Sequence, residues 1–420
     1  MKMFRILFFL CLLLPGLIKA QRACSSFTYQ QEQLASNISF EARYRDIETF
    51  TRNYINNLGT TLSRDQQGTI IRIPVVVHIL YHTNAEKDLI SDEQVAQQIE
   101  ILNRCFRRTN ADTALTPAAF KPFAADCEIE FQLAISDPRR RNTNGIVRKY
   151  TPIAEWQADD LMKSSLQMGS DNWDPNSYLN IWVCNLQRVA GYSSLPGGPG
   201  DKDGVVIGFN VFGNRKVVAG MDLGKTAVHE VGHWLNLKHL WGDDYCGDDG
   251  VADTPKQGGY NTGCPTTNHI TCGNGPLGDM YMNYMDFTND ACVNMFTTGQ
   301  KNRMHALFSN GGARVSILSS TGLQPPLFYE SPLPVESPRW LYPQLYPNPA
   351  STQLTLDLTY DSRWLGKTLS VINMEGRVVM QVVVSTSIQI IDLSKLQSGI
   401  YILAGKKEDG ERIQQKFVKL

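Results

Sequence analysis

The sequence predicts an α/β domain over roughly residues 64–321 and a small all-β sandwich over 345–420, and three features carry that expectation. A nearly unbroken β-branched run, TIIRIPVVVHILY (Thr69–Tyr81), reads as a strand buried on both faces and central in a sheet. SDEQVAQQIEILNRCFRRTN follows, with an N-cap pattern at Ser91 and apolar residues at Val95, Ile99, Ile101 and Leu102, an amphipathic helix. CEIEFQLAI, YLNIWVCNL and DGVVIGF read as further strands, and strands alternating with helices define the class. At Gly322 the composition shifts: residues 322–344 are dense in proline, which favours an extended, semi-rigid linker. Beyond it QLTLDLTY, TLSVINMEGRVVMQVVV, IQIIDLS and GIYILAGKKEDGERIQQKFVKL alternate strand-like runs with turn signals, and Asp409-Gly410 centres a hairpin.

The amino-terminal end is a separate matter. MKMFRILFFLCLLLPGLIKA carries Lys2 and Arg5, an apolar run from Ile6 to Leu14, a Pro15-Gly16 break and Ala20, so residues 1–20 read as a secretory signal peptide. No other segment approaches ~20 apolar residues, and no membrane span is expected. A net charge of −1 argues against a nucleic-acid-binding face or a polybasic membrane anchor. Residues 21–63 are polar and helix-leaning without a dense apolar core, which suits a propeptide or an ordinary helical extension. Export permits disulfides. Of nine cysteines, Cys246, Cys264, Cys272 and Cys292 cluster in one loop-rich stretch, and spacing alone leaves three pairings open.

The chemistry centres on HEVGHWLNLKH, His229 to His239. Residues four apart share a helix face, so His229 and His233 can present both imidazoles to one zinc ion with Glu230 beside them. A helix with two structurally satisfied histidines is the plainer alternative. His239 changes the odds, because on a continuing helix it would lie about 9 Å further along the axis and on another face. The chain must turn sharply near Asn236 for it to join. Such a turn needs a positive φ, for which glycine is the default and asparagine the best substitute.

This stretch resembles the metzincin pattern H-E-x-x-H-x-x-G-x-x-H, departing from it only in Asn236 for glycine. IPVVVHILY, ILNRCFRRTNAD, YLNIWVCNL, GYSSLPGG, DGVVI, HEVGHWLNLKHLWGDD, DGVADTPKQ and YMNYMDFTNDAC are similar to the landmarks of the pappalysin family of these metallopeptidases. The resemblance implies a mixed, twisted sheet with an active-site helix. It implies catalytic zinc on His229, His233 and His239, Glu230 as general base toward zinc-bound water, and Met285 in a methionine turn beneath the histidines. It implies structural calcium on Asp249, Thr254 and a carbonyl near Ala252, with Asp248 and Asp253 less secure; the alternative is a solvated acidic loop. The implied disulfides are Cys246–Cys272 and Cys264–Cys292. Asp290 is expected in the pocket past the scissile bond, favouring Arg or Lys on the leaving side, or else it caps a turn. Cys24 is expected to hold zinc in a silent proenzyme, although CSS replaces the family's usual cysteine-glycine start; otherwise it is a free cysteine. Cleavage between Ser63 and Arg64 would then release residues 21–63.

LYPNPA (Leu345–Ala350), GIYIL (Gly399–Leu403) and QKFVKL resemble the C-terminal sorting domain of the type IX secretion system, with Lys416 and Lys419 at its terminal basic positions. That implies a Gram-negative source, periplasmic transit and the secretion machinery as a partner; a carbohydrate-binding or spacer sandwich is the alternative. The glycine-rich GYSSLPGGPGDKDGVVI leads to an edge strand on which an extended peptide substrate can pair. The expected function is a secreted zinc endopeptidase made as a zymogen. A non-catalytic adhesin or binding module is the other class, and it has no need of Glu230.

Overall fold

The computed structural model describes residues 24–61, 69–215, 217–328, 343–358, 364–407 and 412–420. The signal peptide, the Ser63–Arg64 bond, the Asp409-Gly410 turn and most of the proline-rich linker lie outside the described residues.

Two helices come first, α1 (Ser26–Ser36) and α2 (Ile38–Thr61). Then follow β1 (Ile71–Tyr81), the short α3 (Asn84–Leu89), α4 (Asp92–Phe106), β2 (Ile129–Leu133), β3 (Ile146–Tyr150), β4 (Leu179–Cys184), β5 (Gly191–Ser193), β6 (Val205–Gly208), α5 (Lys225–Trp234) and α6 (Thr298–Ala306). β1 lies at the middle of a six-stranded sheet of order β2-β1-β4-β6-β5, with β3 also paired to it. All these pairings are parallel except β5 on β6, so the sheet is mixed, and β5 is one of its edges.

β1 needs its apolar run because both sheet faces are covered. Ile73, Val75, Val77 and Ile79 enter the main core with α4 and α5. Leu80 joins Trp182, Tyr192 and Val206 in a cluster on the other face, which also contains Tyr29 from α1. α4 starts where Ser91 accepts from the Gln94 amide, and it buries Val95, Ile99 and Leu102. The first two helices have no core of their own and borrow one from this domain, with Tyr29 and Phe40 as their buried anchors.

Residues 322–328, assigned to the linker by composition, run along the 135–142 loop: Ile135 and Ser136 donate to the Gly322 carbonyl, and Asn142 donates to that of Phe328. The carboxy-terminal strands are β7 (Gln344–Tyr346), β8 (Gln353–Asp357), β9 (Thr368–Asn373), β10 (Val378–Val383), β11 (Ile388–Asp392), β12 (Gly399–Lys406) and β13 (Arg412–Lys419). They form two antiparallel sheets, β10-β9-β12-β13 and β11-β8-β7, around one core that includes Leu354, Leu356, Trp364, Val371, Leu403 and Phe417. Asn348 of the YPNP segment donates to the Lys416 carbonyl and accepts from the Val418 amide, holding the last strand.

Candidate metal centre and its amino-terminal cover

Every residue of α5 is buried. The helix ends at Trp234, and Asn236 follows with φ of +70°. Leu237 donates to the Gly232 carbonyl and Asn236 to that of His233, the pair of bonds that closes a helix on a left-handed residue. The reversal brings His239 back to the two helical histidines.

The three Nε2 atoms converge: His229 to His239 is 3.3 Å, His233 to His229 3.2 Å and His233 to His239 3.1 Å. Each Nδ1 faces an oxygen: the Tyr284 carbonyl at 2.7 Å, the Leu237 carbonyl at 2.9 Å, and Asp243. A carbonyl only accepts, so the proton of His229 and of His233 sits on Nδ1 and each Nε2 lone pair points inward. Burial, then His239, pushes His233 well below the ordinary histidine value, which keeps it neutral. Three inward lone pairs repel unless a cation lies between them. Tetrahedral zinc with Zn–N of about 2.0–2.1 Å has N···N edges of roughly 3.3 Å, so the donor set fits zinc.

The ring positions are held by packing. Trp241 stacks on His239 with centroids 4.4 Å apart, and Phe287 lies against both His229 and His239. Met285 is fully buried, and a Cβ placed on Gly232 would meet its sulfur at 2.6 Å. Only glycine lets α5 sit so close on that turn.

Cys24 completes the group: its Sγ and the three Nε2 atoms lie within 4.8 Å of one another, with Sγ 3.6 Å from His233 Nε2. Burial first, then Glu230's charge, pushes this thiol up in the absence of metal; a cation acts in the opposite direction. Cys24 pairs in parallel with Gly191 on the edge strand, and Ser25 donates to the Gly191 carbonyl. Ser26 is fully buried; its hydroxyl donates to Glu230 Oε2 at 2.7 Å and accepts from the Ser193 amide at 2.9 Å. Glu230 is itself fully buried on α5. Further along, the Tyr29 hydroxyl donates to Asp160 Oδ2, which lies beside Lys163, and Arg43 donates to the Gly197 carbonyl. Residues 24–43 thus cover the edge of the sheet and the metal group together.

Asp290 is fully buried, and its Oδ2 accepts from the Leu223 and Lys225 amides at the start of α5. Its carboxylate is in the favourable place for a negative charge, a helix N-terminus. In the acidic loop, the Thr254 hydroxyl is 2.9 Å from both Asp249 oxygens and from the Val251 carbonyl. The Val251 carbonyl, next to Ala252, is thereby brought to the same place. Burial raises the Asp249 carboxyl to about 7, outweighing its hydrogen bonds. These partly buried oxygens, one of them a carboxylate, are of the kind a hard cation such as calcium takes. Asp253 is engaged elsewhere, accepting from Thr297 and Gly299 at the head of α6. Disulfides Cys246–Cys272 and Cys264–Cys292 span the same loops, and closing loops of this length contributes roughly 3–4 kcal/mol each. Cys105, Cys127 and Cys184 are free and buried. Three residues that sequence reasoning did not single out matter here: Ser26, the Asp243 partner of His239, and Arg303, which donates to the Asn236 carbonyl at 2.6 Å.

Comparison with known proteins agrees with this geometry. The profile of the pregnancy-associated plasma protein-A family matches residues 162–309, and that of a secretion system C-terminal sorting domain matches 344–420. An extracellular metalloprotease of Verticillium alfalfae is 32% identical over 252 residues, 57% of this chain and 77% of the relative. The structure of Tannerella forsythia mature mirolysin in complex with a cleaved peptide is 46% identical, with a TM-score of 0.58, covering 60% of this chain and 96% of that one. A Tannerella forsythia promirolysin variant is 42% identical, with a TM-score of 0.64, covering 71% and 97%. Among the described residues no helix is long and apolar enough to cross a membrane. The protein is a secreted or cell-surface zinc metallopeptidase with a zymogen form and a C-terminal sorting domain. By profile, relatives and fold together, the chain belongs to the pappalysin family of metzincin metallopeptidases.

Proposed function

We propose that the protein is an endopeptidase in which His229, His233 and His239 hold zinc, Glu230 is the general base, and Cys24 with Ser26 keeps the uncleaved chain silent. The observation that carries this reading is the convergence of three inward-facing Nε2 atoms at 3.1–3.3 Å with Glu230 on the same helix. Zinc, when bound, supplies Lewis acidity toward a peptide carbonyl and makes water acidic near neutral pH. Glu230 Oε2 takes the proton from the attacking water and returns it to the leaving amine nitrogen. The β5 edge, which Cys24–Ser26 covers here, aligns an extended substrate once that cover leaves. A role as an adhesin gives Ser26 no reason to meet Glu230.

Residues 21–63 are the propeptide, 64–321 the catalytic domain, 322–344 the linker and 345–420 the sorting domain that the type IX machinery reads. Asp290 is proposed as the acidic element that selects Arg or Lys on the leaving side. Digestion of a proteome-derived peptide library tests both levels. Processed enzyme is expected to cut many peptides with Arg or Lys enriched just past the scissile bond, and Asp290→Asn to lose that enrichment. Absence of cutting sinks the peptidase reading. An Asp290→Asn enzyme that is less stable but equally selective reduces Asp290 to a cap of α5.

Calcium is proposed on Asp249, Thr254 and the carbonyl of Val251 or Ala252. A calcium-selective chelator is expected to lower the melting temperature by roughly 5–10 °C at unchanged zinc content, and Asp249→Asn to abolish that response. An unchanged melting curve removes calcium from the account.

A further inference from the structure

Glu48 lies on α2, on a different helix from the one that follows Cys24, and it reaches the turn between the zinc-binding histidines. Its carboxylate ion-pairs with Arg303 of α6, whose side chain is 1% exposed. The same Oε1 accepts from Asn236 Nδ2 at 2.8 Å, and Lys238 Nζ stands 3.9 Å from Oε2. Arg303 Nε donates in turn to the Asn236 carbonyl at 2.6 Å. Both ends of Asn236 are therefore tied into one arrangement, the amide side chain to Glu48 and the backbone to Arg303.

Glycine would make the same positive-φ turn at lower conformational cost. What glycine cannot supply is an amide N–H aimed at a carboxylate. A buried guanidinium is costly unless paired, and Glu48 supplies a partner from a segment outside the catalytic domain.

We propose that Arg303, Asn236 and Lys238 form a carboxylate-binding site on the zinc turn, and that its occupant is Glu48 of the propeptide. This rests on the zymogen reading above and adds to it a second anchor, independent of Cys24. The site recognises the propeptide by a glutamate side chain and holds α2 on α6. Its release leaves Arg303 without that counter-ion, so departure of the propeptide and loosening of the turn are coupled.

The test uses the full chain. Residue 48 is absent from the processed enzyme, so wild type and Glu48→Gln mature to the same molecule. Two readouts apply: the lag before peptide hydrolysis begins, and the fraction of propeptide that co-elutes with the catalytic domain after cleavage at residues 63–64. Glu48→Gln is expected to shorten the lag and speed propeptide loss at least tenfold. The factor should be similar on a Cys24→Ala background, because the anchors are separate. Asn236→Gly, which keeps the turn and removes only the amide, should shift both readouts in the same direction by less, and it serves if Glu48→Gln folds poorly. Unchanged co-elution in both variants overturns the carboxylate site. A processed enzyme that never hydrolyses peptide while co-elution still responds overturns the catalytic reading and leaves this one standing.

Discussion

Glu230→Ala is expected to bind one zinc per chain and to hydrolyse peptides about a thousandfold more slowly than the processed wild type. The separation follows from who holds what. The three imidazoles are oriented through Nδ1 by Tyr284, Leu237 and Asp243. Alanine is a good helix former and replaces a residue in the middle of α5, so the helix persists. What disappears is the group that takes a proton from water at one moment and delivers it to nitrogen at the next. Metal analysis beside kcat/KM on one quenched peptide decides the matter. A variant within a few-fold of wild type places the base elsewhere, and a variant that has lost zinc makes Glu230 part of the metal-binding framework.

The second large effect is expected at Cys24. The uncleaved chain carrying Cys24→Ala should hydrolyse the same peptide on the order of a hundredfold faster than the uncleaved wild type, equivalent to about 2.7 kcal/mol of lost occupancy. The cysteine contributes the only thiol within reach of the imidazoles among the described residues, and alanine offers nothing in its place. Silence should not vanish altogether, because the Ser26 hydroxyl still engages Glu230 Oε2 at 2.7 Å and the strand-like pairing to Gly191 uses backbone. Intact mass measured alongside activity keeps self-cleaved material out of the comparison. Equal silence in wild type and Cys24→Ala would show that the thiol is not the lock.

Most of the metal centre could be read from eleven consecutive residues, since helix geometry settles which side chains meet and a required reversal points to Asn236. The fold class was legible for a similar reason: a strand covered on both faces cannot afford polar residues, and β1 has almost none. The cover was not legible. Ser26 lies 204 positions from Glu230 and Glu48 lies 255 from Arg303, and nothing local to either member announces its partner. The polar helices of 24–61 looked coreless for a sound physical reason, since their core belongs to another part of the chain. Which carbonyl near Ala252 comes to Asp249 and Thr254 was not legible either, because turn geometry decides which oxygen faces inward, and spacing does not.

Asn348 gives the carboxy-terminal end a property that a list of terminal residues conceals. β13 is the outermost strand of its sheet, and an open edge invites pairing with another chain. The Asn348 amide imitates a neighbouring strand there, donating to Lys416 and accepting from Val418, while Leu420 itself donates to the Ala350 carbonyl. Leu420 is thus a structural member of the sandwich. This segment is presented as a folded surface in three dimensions, and removing residues 412–420 strips a paired strand from β12 instead of trimming a tail.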